Sequence, residues 1–243
     1  MEELTELLPD VATVLSAGNH APAGAMSHEL MTRRRGTSIV VQHGMLLPHA
    51  VPLPHGVTLA AWSSADAAFW RGGRSDVVTR VIGSELLRQA TQSEIGPVAV
   101  DATPVYCGAL HGTELPRLEI ERVARGFCLA TGAHYRPHPF EIDVQSRLTH
   151  LVWRRLGIEF ASADLPLVQV GAPVVGMWST GILEAAAAGL PAWVYHPDPP
   201  EWLAEVWHRY GLSAWGSDPT GVPDIAAGEP ARRLADLVEN SVN

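Results

Sequence analysis

The chain has 243 residues with 26 Asp plus Glu against 17 Lys plus Arg, a formal charge of −9, and every one of the basic residues is arginine. The absence of lysine excludes a lysine Schiff base, a pyridoxal-phosphate lysine and the lysine of a phosphate-binding P-loop. Hydrophobic residues at 47% and charged residues at 18% mark a globular chain of one large or two small domains, and the acidic balance argues against broad nucleic-acid or anionic-membrane binding.

The N-terminal stretch MEELTELLPD is acidic and lacks the basic and apolar regions of a secretory leader. No apolar run approaches the roughly 20 residues of a membrane helix, so a cytoplasmic protein without an integral membrane segment is expected. VATVLSA (Val11–Ala17) reads as a buried strand, Pro22–Arg35 as a helix with Pro near its start and arginines at its end, and TSIVVQ (Thr37–Gln42) as a second buried strand. A loop rich in Pro and His (43–57) leads to TLAAW (Thr58–Trp62). A helix opened by Ser63 or Ser64 follows, with Asp66 in its first turn, and then DVVTRVIG (Asp76–Gly83). This alternation predicts parallel β/α units. A polar stretch ends at a domain boundary near Gln92–Gly96, and GPVAVDA (Gly96–Ala102) restarts the rhythm. Helices are expected at about Glu114–Thr131, Glu141–Leu156, Thr180–Ala188, Glu201–Tyr210 and Ala231–Val238. Apolar segments are expected at Leu165–Val170 and Val174–Trp178, and a strand at Ala192–Tyr195.

Absent motifs narrow the chemistry. There is no Gly-x-Gly-x-x-Gly, Gly-x-Ser-x-Gly, Cys-x-x-Cys, His-Glu-x-x-His or Asp-x-Asp. Cys107 and Cys128 are too few for a disulfide framework, and no metal-ligand spacing is evident.

Four segments remain as candidate sites. In MWSTGILEAAAAGLPAW (Met177–Trp193), Ser179, Thr180 and Gly181 open a helix whose N–H groups and dipole suit phosphate. Glu184 lies one turn later and could accept from a ribose diol. An ordinary N-cap on a packed Ala-rich helix is the alternative. In HYRPHPFE (His134–Glu141) the extended, Pro-stiffened segment would alternate His134, Arg136 and His138 onto one face as an anion site, with Glu141 opening the next helix. A surface loop with incidental basic residues is the alternative. His43–Gly44 follows a buried strand, where open α/β sheets place ligand groups, and His43 could act as general base or pair with phosphate. A capping histidine is equally consistent. In LHGTELPR, His111 and Glu114 would share a face if the turn is helical, with a structural role as plausible as a catalytic one.

The order QHG, Gly83–Ser84, HGTELPR, YRPHPFE and STGILEAAAAGLP resembles bacterial glycosyltransferases of the GT-B architecture. The closest group is the polysialyltransferases, capsule-polysaccharide transferases and CDP-glycerol glycerophosphotransferases. The resemblance covers about Gln42–Leu212. It implies an α/β fold of two Rossmann-like parallel-sheet domains, here 1–94 on the acceptor side, shortened, and 95–243 on the donor side. It further implies metal-independent transfer of a glycosyl or glycerophosphate group, without cofactor, from a nucleotide-linked donor of cytidine type to a carbohydrate acceptor such as a cell-surface polysaccharide. Carried over by position, His138, Arg136, Ser179, Thr180 and Gly181 would hold the donor phosphate, Glu184 the ribose, and His43 would be the catalytic base, with His111, Glu114 and Glu141 in the cleft. A non-catalytic nucleotide-binding protein and a nucleotide-sugar epimerase or hydrolase are the alternatives on the same scaffold. A shortened domain with an exposed sheet edge would favour a homodimer.

Overall fold

The computed structural model describes residues 9–18, 21–162, 164–224 and 229–242; the reading of the leader at residues 1–8 lies outside them. The protein is mixed α/β with two four-stranded parallel sheets. It divides into two units, residues 1–88 with 224–243, and residues 89–223.

The first unit runs β1 (Thr13–Ser16), α1 (Pro22–Arg34), β2 (Thr37–Val41), β3 (Thr58–Ala61), α2 (Ser64–Arg71) and β4 (Val78–Val81), and α3 (Glu85–Thr91) carries the chain across the boundary. The strands pair in chain order, β1-β2-β3-β4, all parallel. Alternation along β2 sends Val40 to one face and Ile39 to the other. Val40 packs with Leu53, Val57, Leu59, Ala61, Ala67 and Val77. Ile39, Ala60 and Ile82 are covered by Leu234, Leu237 and Val238 of the closing helix α8 (Pro230–Val242). The domain expected at 95–243 includes this helix, whereas its apolar side packs on the first unit. Ser63 caps α2 as expected, its Oγ accepting from the Asp66 N–H at 3.0 Å.

The second unit runs β5 (Val105–Cys107), α4 (Arg117–Thr131), β6 (His134–Arg136), α5 (Val144–Arg155), a 3₁₀ turn (Leu167–Val170), β7 (Val174–Gly176), α6 (Thr180–Ala187), β8 (Ala192–Val194) and α7 (Glu201–Arg209). Gly96–Ala102, expected to open this rhythm, is irregular; the strand begins at Val105, where the side chains become buried. The sheet order is β6-β5-β7-β8, and single-residue parallel bridges extend both edges, Phe160 beside Tyr135 and Ala214 beside Val194. Ranked along the chain, the six positions read 3-2-1-4-5-6, the order of the doubly wound Rossmann sheet. Tyr106 and Tyr135 sit in register on one face. Phe127 of α4 packs on Tyr106 at 5.3 Å and Trp153 of α5 on Tyr135 at 4.8 Å between ring centroids, so both helices cover that face. Ile182 of α6 lies against Gly176 and Cys107 on the other.

Candidate functional site

The chain leaves β5 toward β6 on one side and returns to β7 on the other. The loops after β5 and β7 therefore diverge, and an open α/β sheet keeps its ligand crevice at such a switch point, beyond the carboxyl ends of the strands. Cys107, Arg136 and Gly176 form one row at that edge, in register. Three of the four candidate segments, beginning at Leu110, His134 and Met177, pass along it; the fourth, with His43, belongs to the first unit.

At the end of β7 the expected helix start is present. Ser179 is extended (φ −136°, ψ 132°) and its Oγ accepts from the Gly181 N–H at 3.2 Å. Ser179, Thr180, Gly181 and Glu184 are half-buried. A Cβ on Gly181 would lie 2.7 Å from Leu167 Cδ2, so a larger residue there would have to displace the end of the Leu167 side chain packed over it. Burial pushes the Glu184 carboxyl up, against the opposing pull of Arg136. Cys107, beside Ser179 and Glu184, is pushed by burial up to about 12. The buried thiol therefore stays protonated at neutral pH. Arg136 Nη1 donates to the Ser162 carbonyl at 2.7 Å and Nη2 to the Leu165 carbonyl at 2.6 Å, which ties the strap carrying Leu167 to the sheet edge.

At the ends of β5 and β6 two imidazoles meet. His111 and His138 stack with centroids 3.7 Å apart and planes 17° from parallel. Partial burial lowers the pKa of both, and the neighbouring His111 lowers that of His138 further. The Phe140 N–H donates to His138 Nδ1 at 3.2 Å. Nδ1 is therefore the acceptor, and the neutral ring carries its proton on Nε2.

Four expectations change here. His134, Arg136 and His138 do not alternate along one strand: β6 ends at Arg136, His138 enters a turn, and His134 pairs with Glu159 at 3.1 Å at the strand's amino end. Glu141 does not open a helix; α5 starts at Val144 with Asp143 as its cap, the Oδ1 accepting from the Ser146 N–H at 2.9 Å. Nor is Glu141 in a cleft, because it is buried and accepts from the Leu110 N–H at 3.1 Å, the Tyr135 hydroxyl at 2.9 Å and His150 Nε2–H at 2.9 Å. It is a brace that holds the loop after β5 to the loop after β6, and so sets the His111–His138 stack. The His111–Glu114 turn is not helical, and Glu114 Oε2 accepts from the adjacent Thr113 N–H at 2.8 Å.

Arg117, Tyr135 and His150, which sequence reasoning passed over, complete this frame. Arg117 Nη1 donates to the Leu110 carbonyl and Nη2 to Ser146 Oγ, both at 3.0 Å. Arg117 and Glu121 at helical spacing were a legible signal; the long-range partners were not.

In the first unit the carboxyl edge carries a cavity of about 360 Å³ lined by Gln42, His43, Trp62, Ile82, Ser84 and Leu234, among others. Gln42 frames it: its Oε1 accepts from the Trp62 N–H at 2.8 Å and its carbonyl from Trp62 Nε1 at 2.9 Å. His43 is exposed at the end of β2.

Among the described residues no three His, Cys, Asp or Glu side chains are grouped to hold a metal ion, and no helix is long and apolar enough to cross a membrane. The fold is that of a two-unit Rossmann-like α/β protein. No protein-family model matches the chain, and no curated protein is significantly similar to it in sequence.

Proposed function

We propose that the protein transfers a glycosyl or glycerophosphate group from a nucleotide-linked donor of cytidine type to a carbohydrate acceptor, without a metal, as the GT-B resemblance suggests. The observation that carries this reading is the switch point of the second sheet. There a helix start with a hydroxyl cap, a carboxylate one turn later and an Nε2–H imidazole share one strand edge. Donor phosphate oxygens would take the place of Ser179 Oγ at the Gly181 N–H and accept from His138 Nε2–H. Charge developing on the departing nucleotide is then met by a helix dipole and a fixed donor. Glu184 would accept from the ribose hydroxyls. The acceptor hydroxyl attacks the anomeric carbon of a glycosyl donor, or the outer phosphorus of a glycerophosphate donor; its proton passes to a base, the role the resemblance gives to His43, and the nucleotide leaves with the electrons of the broken bond to oxygen.

A non-catalytic nucleotide-binding protein is the second reading. What favours it is that Glu114 and Glu141, the other acid–base candidates, are committed to backbone and buried partners. Nucleotide release from a labelled CMP-sugar separates the two: the transferase reading expects release that His43→Ala abolishes, and release unchanged by that substitution removes His43 from catalysis.

A further inference from the structure

We infer that the outer face of α4 and α5 docks on an anionic lipid surface. The two helices lie side by side on one face of the second sheet, joined by Arg117 to Ser146 at 3.0 Å and by Thr149 to Glu121 at 3.1 Å. On α5 the buried positions are Ser146, His150 and Trp153. At 3.6 residues per turn, Val144, Leu148, Leu151 and Val152 project from the opposite side, and all are exposed, Val144 at 74% and Leu148 at 58%. Phe140 (71%) and Ile142 extend this strip before the helix, and Leu118 and Leu129 occupy the outward side of α4. An amphipathic helix in a soluble domain should turn a polar face outward; α5 turns an apolar one.

The charge on this face chooses the occupant. Arg122 and Arg125 on α4 and Arg155 on α5 share the outward positions, and Arg147 and Arg154 flank them, all exposed. α5 contains no acidic residue. The two on α4 are part-buried and turned elsewhere, Glu119 to His196 and Glu121 to Arg117. Asp143, at the start of α5, is held by Ser146 and Arg117. A chain of net charge −9 thus gathers apolar side chains and guanidinium groups on one surface. A two-fold dimer through this face would set arginines against their own copies. A bilayer containing anionic lipid accepts apolar side chains among its acyl chains and arginines at its headgroups, with no need of a matching groove. Because charges beyond about 10 Å are screened at 0.1 M salt, the local cluster outweighs the distant net charge.

Flotation of the full chain with phosphatidylcholine vesicles, with and without phosphatidylglycerol, tests this. The protein should float only with the anionic vesicles and be released by high salt. Arg122→Ala with Arg125→Ala should weaken partitioning about thirtyfold, at ~fivefold per guanidinium. Leu148→Asp should abolish it while the thermal melt stays unchanged, since the side chain is exposed. Absence of flotation, equal flotation on neutral vesicles, or variants that bind like wild type would overturn the inference. So would a concentration-dependent dimer that Leu148→Asp dissolves, which would make the face a self-interface.

Discussion

Tyr106 and Tyr135 occupy matched positions on neighbouring strands, yet their hydroxyls have different surroundings. Tyr135 donates to Glu141, whereas the Tyr106 hydroxyl is buried with no hydrogen-bond partner among the described residues. Removing a satisfied buried donor destabilises, and removing an orphan does not. Tyr135→Phe should therefore lower the unfolding free energy by about 1–2 kcal/mol in urea titrations, and Tyr106→Phe should leave it unchanged or raise it by ~1 kcal/mol. Gly108 lies against the same brace, and a Cβ there would collide with the Tyr135 hydroxyl and the Glu141 carboxylate. The stacked histidines add a pH signature. Their folded-state pKa values lie below the ordinary 6.5, so the unfolded chain binds protons first as the pH falls. Their contribution to stability is complete above about pH 6.5 and is lost as the pH drops through the lowered folded values. A plot of melting temperature against pH should fall less steeply below pH 6.5 in the His111→Ala, His138→Ala double variant. An unchanged slope would mean that the rings are not held neutral by the fold.

Elements with strong local signals were readable from sequence. Ser63 and Ser179 cap their helices where hydroxyls precede apolar runs, and β2 follows its β-branched run. The start of α5 was misplaced because Glu141 imitates an N-terminal carboxylate, while the true cap is Asp143 two residues on. Partners distant in sequence were not legible: nothing local tells that Glu141 will meet Leu110, or that Arg136 will hold Ser162 and Leu165. The same limit hid where α8 docks: the helix and its apolar stripe of Leu234, Leu237 and Val238 are plain in the sequence, but its place on the first sheet is fixed by tertiary packing. The six positions of the second sheet all lie within 105–214, whereas Ile39, Ala60 and Ile82 depend on α8. A fragment of residues 89–223 should then fold alone, with an α/β circular dichroism spectrum and a cooperative melt. Residues 1–88 without 224–243 should expose that face and bind a hydrophobic dye. The reverse pattern would contradict the division of the cores.

At the scale of the whole molecule, the alternation of strands and helices predicted the two parallel sheets. The doubly wound order of the second was beyond sequence reading, because two of its six positions, Phe160 and Ala214, are single residues with no strand-length pattern. That order is what makes the edge beyond β5 and β7 a switch point and draws three of the four candidate segments to it. Net charge was informative only as a sum: −9 hides the arginine-bearing face of α4 and α5. The central claim, that this switch point holds the phosphate of a nucleotide, is tested most directly by calorimetric titration of CMP, CDP, UDP and GDP into wild type and His138→Ala. The account predicts saturable binding of the cytidine nucleotides by wild type, weakened at least tenfold in the variant by loss of one donor to phosphate, worth about 1.5–3 kcal/mol. Equal binding by both proteins, or none by wild type, would contradict it.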